Sequence, residues 1–139
     1  MSIELTPLGT LTIVVDSHVR LEGVPAGTRV VGTASEASFE GERLRATELL
    51  APASDWVTVH GDGTGSVDAR LLLRTDDGAR ILMRYGGRIA YRGDEGASVV
   101  IAPTFETDDG RYAWLNAVQA VGKGERVGKR LVYEVHAVV

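Results

Sequence analysis

Apolar and polar side chains alternate along residues 66–91, and this alternation predicts two β-strands joined by a turn. The turn contains Asp76-Asp77-Gly78, and an Asp-Gly pair favours a hairpin because glycine adopts positive φ without steric cost. A two-residue loop would mix apolar and charged side chains on both faces. A three-residue loop pairs Thr75 with Ala79 and places the apolar and the charged side chains on separate faces. The pattern therefore predicts the three-residue loop, with Gly78 in the left-handed conformation.

The predicted register gives this hairpin one apolar face and one charged face. The apolar face consists of Val67, Ala69, Leu71, Leu73, Ile81, Met83, Tyr85 and Ile89. The opposite face, called the arginine face below, carries Asp68, Arg70, Arg74, Arg80, Arg84 and Arg88, with Leu72 and Leu82 among them. The sequence leaves open which face points inward.

Short apolar runs separated by glycine-containing turns continue through the rest of the chain, at the spacing typical of an all-β sandwich or barrel. The further predicted strands cover residues 8–16, 19–24, 28–33, 43–50, 55–60, 97–105, 111–121 and 130–138. Residues 34–38 are ambiguous between strand and short helix, and residues 122–129 are predicted to connect the last two strands. The pattern predicts an all-β fold, a single antiparallel β-barrel of about 8–10 strands over residues 1–139, because closure removes exposed strand edges.

Composition narrows the classes of function. The chain of 139 residues has a net charge of −4, so it lacks the basic footprint that nucleic-acid binding requires. It contains no cysteine, which excludes disulfides, thiolate nucleophiles and zinc–cysteine sites. No apolar run approaches the roughly 20 residues of a membrane-spanning helix, and residues 1–4 do not resemble a signal peptide. We therefore expect a cytoplasmic protein that binds neither nucleic acid nor membrane.

The common catalytic motifs are missing from the sequence. The stretch Gly61-Asp62-Gly63-Thr64-Gly65 is rich in glycine but lacks the Lys-Ser/Thr ending and the helix of a phosphate-binding loop. His18, His60 and His136 are scattered without a metal-ligand spacing, and no Gly-x-Ser-x-Gly elbow occurs. We therefore expect neither a metal ion nor a cofactor.

Aromatic side chains with polar groups are the best sequence signal of a ligand pocket, because pockets combine apolar walls with a few polar groups. The candidate ligand-binding residues are Trp56, Arg70, Tyr85, Tyr112, Trp114 and Asn116. Tyr112, Trp114 and Asn116 are predicted to share one face of a strand. Core filling is an equally good interpretation of the aromatic residues, and an ion pair with Asp68 is the simpler interpretation of Arg70.

Carboxylates at predicted strand ends are the candidate acid or base groups. Asp55 and Glu40 lie beside apolar residues, and burial next to a ring such as that of Trp56 raises the pKa of a carboxyl group. We take Asp55 and Glu40 as the candidate catalytic residues. Capping of a turn is the alternative role of Asp55, because aspartate is common directly before a strand.

Several stretches together resemble a bacterial and fungal family, domain of unknown function 3237, whose members resemble lipocalin-like β-barrels. The matching stretches are Phe39-Glu40-Gly41, residues 49–56 with Asp55-Trp56, Val67-Asp68-Ala69-Arg70, residues 75–79 with Ile81, Phe105-Glu106-Thr107 and residues 111–116. They follow the family's order, but Ala37-Ser38 and Ala53-Ser54 stand where the family tends to have Gly-Gly, and Val99–Pro103 replaces an aromatic-Arg-Thr element. The resemblance implies a lipocalin-like barrel with altered loops and implies little about function.

Three functions fit these observations. The first is a cofactor-independent acid/base enzyme of the isomerase, cyclase or lyase type, acting on an apolar oxygenated metabolite. Asp55 or Glu40 would transfer the proton, and Arg70, Asn116 or a tyrosine would stabilise an enolate oxygen. The second is a non-catalytic carrier or sensor of a small hydrophobic or aromatic metabolite. The third is a structural module that forms a homo-oligomer through the arginine face, with an interior filled by side chains.

Overall fold

The computed structural model describes residues 1–49, 53–93 and 96–139, which form ten strands and one 3₁₀ helix. The strands are β1 (Leu5–Val24), β2 (Gly27–Glu40), β3 (Arg45–Glu48), β4 (Ala53–Val59), β5 (Gly65–Thr75), β6 (Arg80–Tyr91), β7 (Gly96–Ile101), β8 (Thr104–Glu106), β9 (Ala120–Val127) and β10 (Arg130–Val138). The helix spans Gly110–Ala117. At eight residues it is far too short to cross a membrane, and the described residues contain no other helix.

All ten strands belong to one antiparallel sheet, in the order β3-β5-β4-β2-β1-β10-β9-β7-β6-β8. An additional pairing between β5 and β6 links the sheet back on itself. The pairings therefore run in a continuous circuit through β5, β4, β2, β1, β10, β9, β7 and β6, and the short strands β3 and β8 attach to it. The predicted all-β, antiparallel fold is confirmed.

The β5–β6 hairpin has the predicted three-residue loop. The Thr75 amide donates to the Ala79 carbonyl at 2.8 Å, and Gly78 has a φ of 93° in the left-handed region. The Ala79 amide also donates to the Thr75 hydroxyl at 2.8 Å, and that hydroxyl lies 2.6 Å from the Asp77 carboxylate. The apolar face of the hairpin points inward, since each of its eight predicted members is buried.

The end of the strand circuit near the 3₁₀ helix is filled with apolar side chains. Phe39 and Phe105 meet edge to face with ring centroids 6.3 Å apart, and Leu44 and Leu115 are fully buried. Burial of each such side chain contributes about 1.5–3 kcal/mol to stability. These side chains fill one end of the fold, so we expect any cavity at the opposite end.

Residues 110–117 form a helix where the sequence predicted a strand. The Asp109 side chain caps the helix by accepting a hydrogen bond from the Arg111 amide. A 3₁₀ helix has three residues per turn, so Tyr112, Trp114 and Asn116 do not share a face as they would in a strand. The prediction for this segment was wrong because local capping outweighed the alternation of side chains.

The segment predicted as a connector, residues 122–129, is largely strand β9. Its glycines suggested a loop, but Gly122 and Gly124 are buried strand residues. A Cβ atom on Gly124 would lie 2.3 Å from the Val132 carbonyl oxygen, so glycine is required by the close approach of β10. These glycines therefore serve packing between strands.

Other boundaries also differ from the prediction. β1 joins residues 8–16 and 19–24 into one strand with register shifts between Val14 and Ser17, and β2 continues through the ambiguous residues 34–38. The predicted strand 97–105 is divided between β7 and β8. Residues 50–52, which fall in the predicted strand 43–50 and in the family match at 49–56, lie outside the described residues.

Candidate functional site

A cavity of about 380 Å³ lies at the end of the strand circuit opposite the 3₁₀ helix. Eight branched aliphatic side chains form much of its wall: Val15, Val30, Val57, Val59, Val67, Ile89, Val99 and Leu131. Its polar lining consists of Asp55, Tyr91 and Tyr133, with Asp16, His18, Arg20, Arg126 and Lys129. The volume falls within the range of small-molecule sites. The filled interior expected for a purely structural module is therefore not observed at this end.

Asp55 lies in the wall of the cavity because of its position in β4. It pairs with Gly32 on one side and Ala69 on the other, so its neighbours across the sheet are small. The residue keeps some exposure to the cavity, but its Oδ1 atom is buried and has no hydrogen-bond partner. Burial raises the pKa of Asp55 from 3.8 to about 6. A carboxyl group with this pKa can accept a proton and return it near neutral pH.

The capping role considered for Asp55 does not fit this environment. Asp55 is the third residue of β4 and does not precede the strand. A cap would satisfy its side-chain oxygens with backbone amides, whereas Oδ1 has no partner. An unpaired buried polar atom costs free energy unless a ligand or water satisfies it.

Three tyrosines lie close enough to Asp55 for its charge to act on them. Burial is the main reason why the pKa values of Tyr85, Tyr91 and Tyr133 lie above the ordinary value, and the Asp55 charge raises all three further. The ring centroids of Tyr85 and Tyr133 are 5.9 Å apart, so the two phenol rings are direct neighbours. Tyr133 lines the cavity, while Tyr85 is buried outside its lining. Protonated phenols of this kind are suitable donors to an oxyanion.

Three of the candidate residues face away from the cavity. Trp56 follows Asp55 in β4, so it lies on the opposite face and is 47% exposed. Arg70 is exposed on the arginine face, and Glu40 is exposed at the end of β2. The structure therefore does not bring Trp56, Arg70 and Glu40 together with Asp55. The homo-oligomer expected through the arginine face stays a prediction.

The remaining candidates lie at the other end of the fold, on the 3₁₀ helix. The Tyr112 hydroxyl donates to the Asp77 carboxylate at 2.9 Å, and the Asn116 amide group exchanges two hydrogen bonds with the Thr107 backbone. The Arg43 guanidinium lies over the Trp114 ring, with Cζ 3.7 Å from the ring centroid. These contacts hold the helix against neighbouring segments. Among the candidate residues, only Asp55 lines the cavity, and Tyr85 lies outside the lining beside Tyr133.

Several residues of the site were not among the sequence candidates. The sequence pattern could have indicated Tyr133, because Leu131, Tyr133 and Val135 occupy alternate, inward-facing positions on one strand. No sequence pattern indicated Arg126 and Lys129 as site residues, since they fall in the segment predicted as a connector. Among the described residues, no group of three His, Asp or Glu side chains is placed to hold a metal ion.

The fold and the site together define a β-barrel-like protein with a cavity that contains a buried carboxyl group. Residues 3–138 match the family described as protein of unknown function (DUF3237), and the chain belongs to that family. This confirms the resemblance seen in the sequence.

Comparison with solved structures supports the same fold. A β-barrel like protein from Acinetobacter baumannii superposes with a TM-score of 0.90 at 28% identity, covering 100% of this chain and 98% of that one. A conserved protein of unknown function from Rhodopseudomonas palustris has a TM-score of 0.90 at 20% identity, with 100% and 99% coverage. An enzyme from Penicillium herquei has a TM-score of 0.72 at 22% identity, with 99% and 94% coverage. The last two show likeness of fold alone.

A curated relative with a named activity is the hydroalkoxylation enzyme phnH of Penicillium herquei. It is 34% identical over 85 residues, which cover 61% of this chain and 46% of that protein. The match thus spans about half the length of that relative.

Proposed function

We propose that this protein is a cofactor-independent acid/base enzyme that acts on an apolar oxygenated metabolite by addition, cyclisation, isomerisation or elimination. The observation that carries this proposal is Asp55, whose Oδ1 is buried without a partner in the wall of a ligand-sized cavity. A lipocalin-like barrel would supply a rigid apolar container around it. The proposed catalytic base is Asp55, and the proposed oxyanion donor is Tyr133.

Similarity to a hydroalkoxylation enzyme supports the reaction class. Hydroalkoxylation adds an O–H group across a carbon–carbon double bond. On an enone the Asp55 carboxylate would remove the hydroxyl proton while the oxygen bonds to the β-carbon. The Tyr133 hydroxyl would donate to the resulting enolate oxygen, and protonated Asp55 would return its proton to the α-carbon. Every atom is then accounted for, and the reverse sequence is an elimination.

A panel of hydroxylated enones, including 2′-hydroxychalcone, tests the proposal by loss of the conjugated enone absorbance. We expect conversion of at least one compound by the wild-type protein. Asp55→Asn should reduce turnover about 100-fold or more, because positioned acid/base groups contribute that much. Asp68→Asn is the matched control, since Asp68 is exposed on the arginine face. Retained turnover in Asp55→Asn would remove Asp55 from the mechanism.

A non-catalytic carrier or sensor is the second candidate, favoured by the eight branched aliphatic side chains of the cavity wall. Such a wall binds a hydrophobic or aromatic metabolite by burial of apolar surface alone. Saturable binding of panel compounds without any conversion would support this function and overturn the enzyme proposal.

A further inference from the structure

We propose that the mouth of the cavity binds a carboxylate group of an otherwise apolar ligand through Arg20, Arg126 and Lys129. The inference rests on the proposed function in that it uses the same cavity as the ligand site. It adds the chemical class of the ligand: an amphipathic organic acid whose anionic end stays at the mouth.

The three cationic residues come from two segments of the rim that are separate in sequence. Arg20 lies on β1, Arg126 lies on β9 and Lys129 lies in the turn between β9 and β10, and all three line the cavity. The Val15 amide donates to the Lys129 carbonyl at 2.8 Å, which ties the turn to β1. Arg126 donates through Nη1 to the Gly128 carbonyl at 3.2 Å, which restrains its guanidinium beside the turn. The rim is therefore built from connected backbone segments.

Carboxylates of the described residues balance the charges at the rim only in part. Within the described part of the chain, Arg20 pairs with the exposed Glu22 at 3.4 Å, whereas Arg126 and Lys129 form no ion pair. The carboxylates that line the cavity are Asp16 at the rim and Asp55 farther inside. Two cationic side chains of the rim thus form no ion pair with the carboxylates of the described residues, and Arg126 is half-buried. A guanidinium group suits a carboxylate because its N–H groups match the two oxygens.

Tyr91 reports how the charges are arranged within the cavity. Burial raises the pKa of Tyr91, the charges of Arg126 and Arg20 lower it, and the charge of Asp55 raises it. Both guanidinium groups and the Asp55 carboxylate therefore lie near enough to this hydroxyl for their charges to act on it, with opposite effects. A ligand with one anionic end lowers its electrostatic energy by placing that end toward the rim. Its apolar part then extends along the aliphatic wall toward Asp55 and Tyr133.

Paired fluorescent probes test this inference without any turnover. cis-Parinarate and its methyl ester share one apolar chain and differ in the carboxylate, and both fluoresce more strongly in an apolar environment. We expect the double variant Arg126→Gln/Lys129→Gln to weaken cis-parinarate binding about tenfold or more, because each charge-assisted hydrogen bond contributes substantially. Its affinity for the methyl ester should change by less than about twofold.

The matched control is Arg70→Gln/Arg84→Gln, which removes two positive charges from the arginine face outside the cavity. It should leave both affinities unchanged, and circular dichroism should show native folds in both double variants. If the rim variant bound both probes more weakly to the same extent, Arg126 and Lys129 would have a structural role only. If wild type and the rim variant bound cis-parinarate with equal affinity, the rim would contain no anion site. Either result overturns the inference, while the enzyme proposal depends separately on turnover in Asp55→Asn.

Discussion

Gly32 lies directly opposite Asp55 where β2 pairs with β4. A Cβ atom on Gly32 would lie 3.1 Å from Cγ1 of Val15 and 3.8 Å from Cβ of Asp55. Gly32 and Asp55 both line the cavity. The missing side chain therefore keeps space open beside the buried carboxyl group, on the surface where a ligand would approach it.

Filling this space should block the cavity without unfolding the protein. We expect Gly32→Val to weaken cis-parinarate binding about tenfold or more, since the new side chain occupies the space beside Asp55. The free energy of unfolding should change by about 1 kcal/mol or less, because the strand preference of valine offsets crowding of Val15. Fluorescence titration and urea unfolding measure the two effects. Thr33→Val is the control, as Thr33 does not line the cavity, and unchanged affinity in Gly32→Val would contradict a ligand site here.

Asp55 should make the folded protein less stable as the pH rises. Its pKa is about 6 in the folded protein against 3.8 ordinarily, so the folded state holds the proton more tightly. The stability from protonated Asp55 is complete below about pH 4 and is lost as the pH rises through about 6. We expect the stability of Asp55→Asn relative to wild type to increase by about 3 kcal/mol from pH 4 to pH 7.

Urea unfolding across this pH range checks the Asp55 prediction. The control is again Asp68→Asn, whose stability relative to wild type should stay constant because Asp68 is exposed. Parallel stability curves for Asp55→Asn and wild type would show that the folded state does not perturb Asp55.

Removal of the Tyr133 hydroxyl should affect turnover more than folding. Tyr133→Phe keeps the ring that packs against Tyr85 but removes the proposed oxyanion donor, so we expect kcat to fall about 10- to 100-fold. KM should change little, because the donor acts on charge that develops during the reaction. Tyr85→Phe should reduce kcat less, since Tyr85 is not part of the cavity lining. Steady-state kinetics on a converted enone checks this order, which the reverse ranking of the two variants would refute.

The Thr75 hydroxyl should stabilise the turn between β5 and β6. It is buried, lies within hydrogen-bond distance of Asp77 and accepts the Ala79 amide proton. Thr75→Val preserves the shape but takes these hydrogen bonds away, so we expect a loss of about 1–3 kcal/mol in unfolding free energy. Thr75→Ser should retain most of the stability. A Thr75→Val protein as stable as wild type in urea would show that the hydroxyl is not needed.

Gly124 should tolerate no side chain, in contrast to Gly61. A Cβ on Gly124 would lie 2.3 Å from the Val132 carbonyl oxygen and 2.6 Å from Cδ1 of Tyr133, whereas a Cβ on Gly61 meets no atom within 4 Å. We expect Gly124→Ala to destabilise the protein by about 3 kcal/mol, because β10 must shift, and Gly61→Ala to change stability by less than about 0.5 kcal/mol. Thermal or urea unfolding of both variants measures the contrast, and similar stabilities would argue against the close β9–β10 approach.

Local patterns predicted the fold best where each strand residue has one clear preference for inside or outside. The β5–β6 hairpin is the main example, since its loop, its register and the members of its apolar face agree with the structure. The same reasoning failed for residues 110–117, where apolar residues alternate but an Asp109 cap starts a helix. It also failed at Gly122 and Gly124. Glycine is common in turns, but at these positions the close approach of neighbouring strands requires it.

The location of the candidate residues followed only in part from the sequence, and their roles stay predictions. Asp55 was identified because a carboxylate beside apolar residues is chemically unusual, and the structure places it in the cavity wall. Its sequence neighbour Trp56 was also chosen, but side chains alternate along a strand, so adjacent residues face opposite sides. Nearness in sequence was thus misleading within β4.

The sequence by itself determined the all-β class, the family and the loop and register of the β5–β6 hairpin, because strand periodicity and turn chemistry act over a few residues. Only the tertiary structure decided that Asp55 meets Tyr133 and Tyr91, and that Arg20 and Arg126 share one rim. These residues come from β1, β4, β6, β9 and β10. Their meeting depends on the register of strand pairings between distant segments, which no local preference specifies.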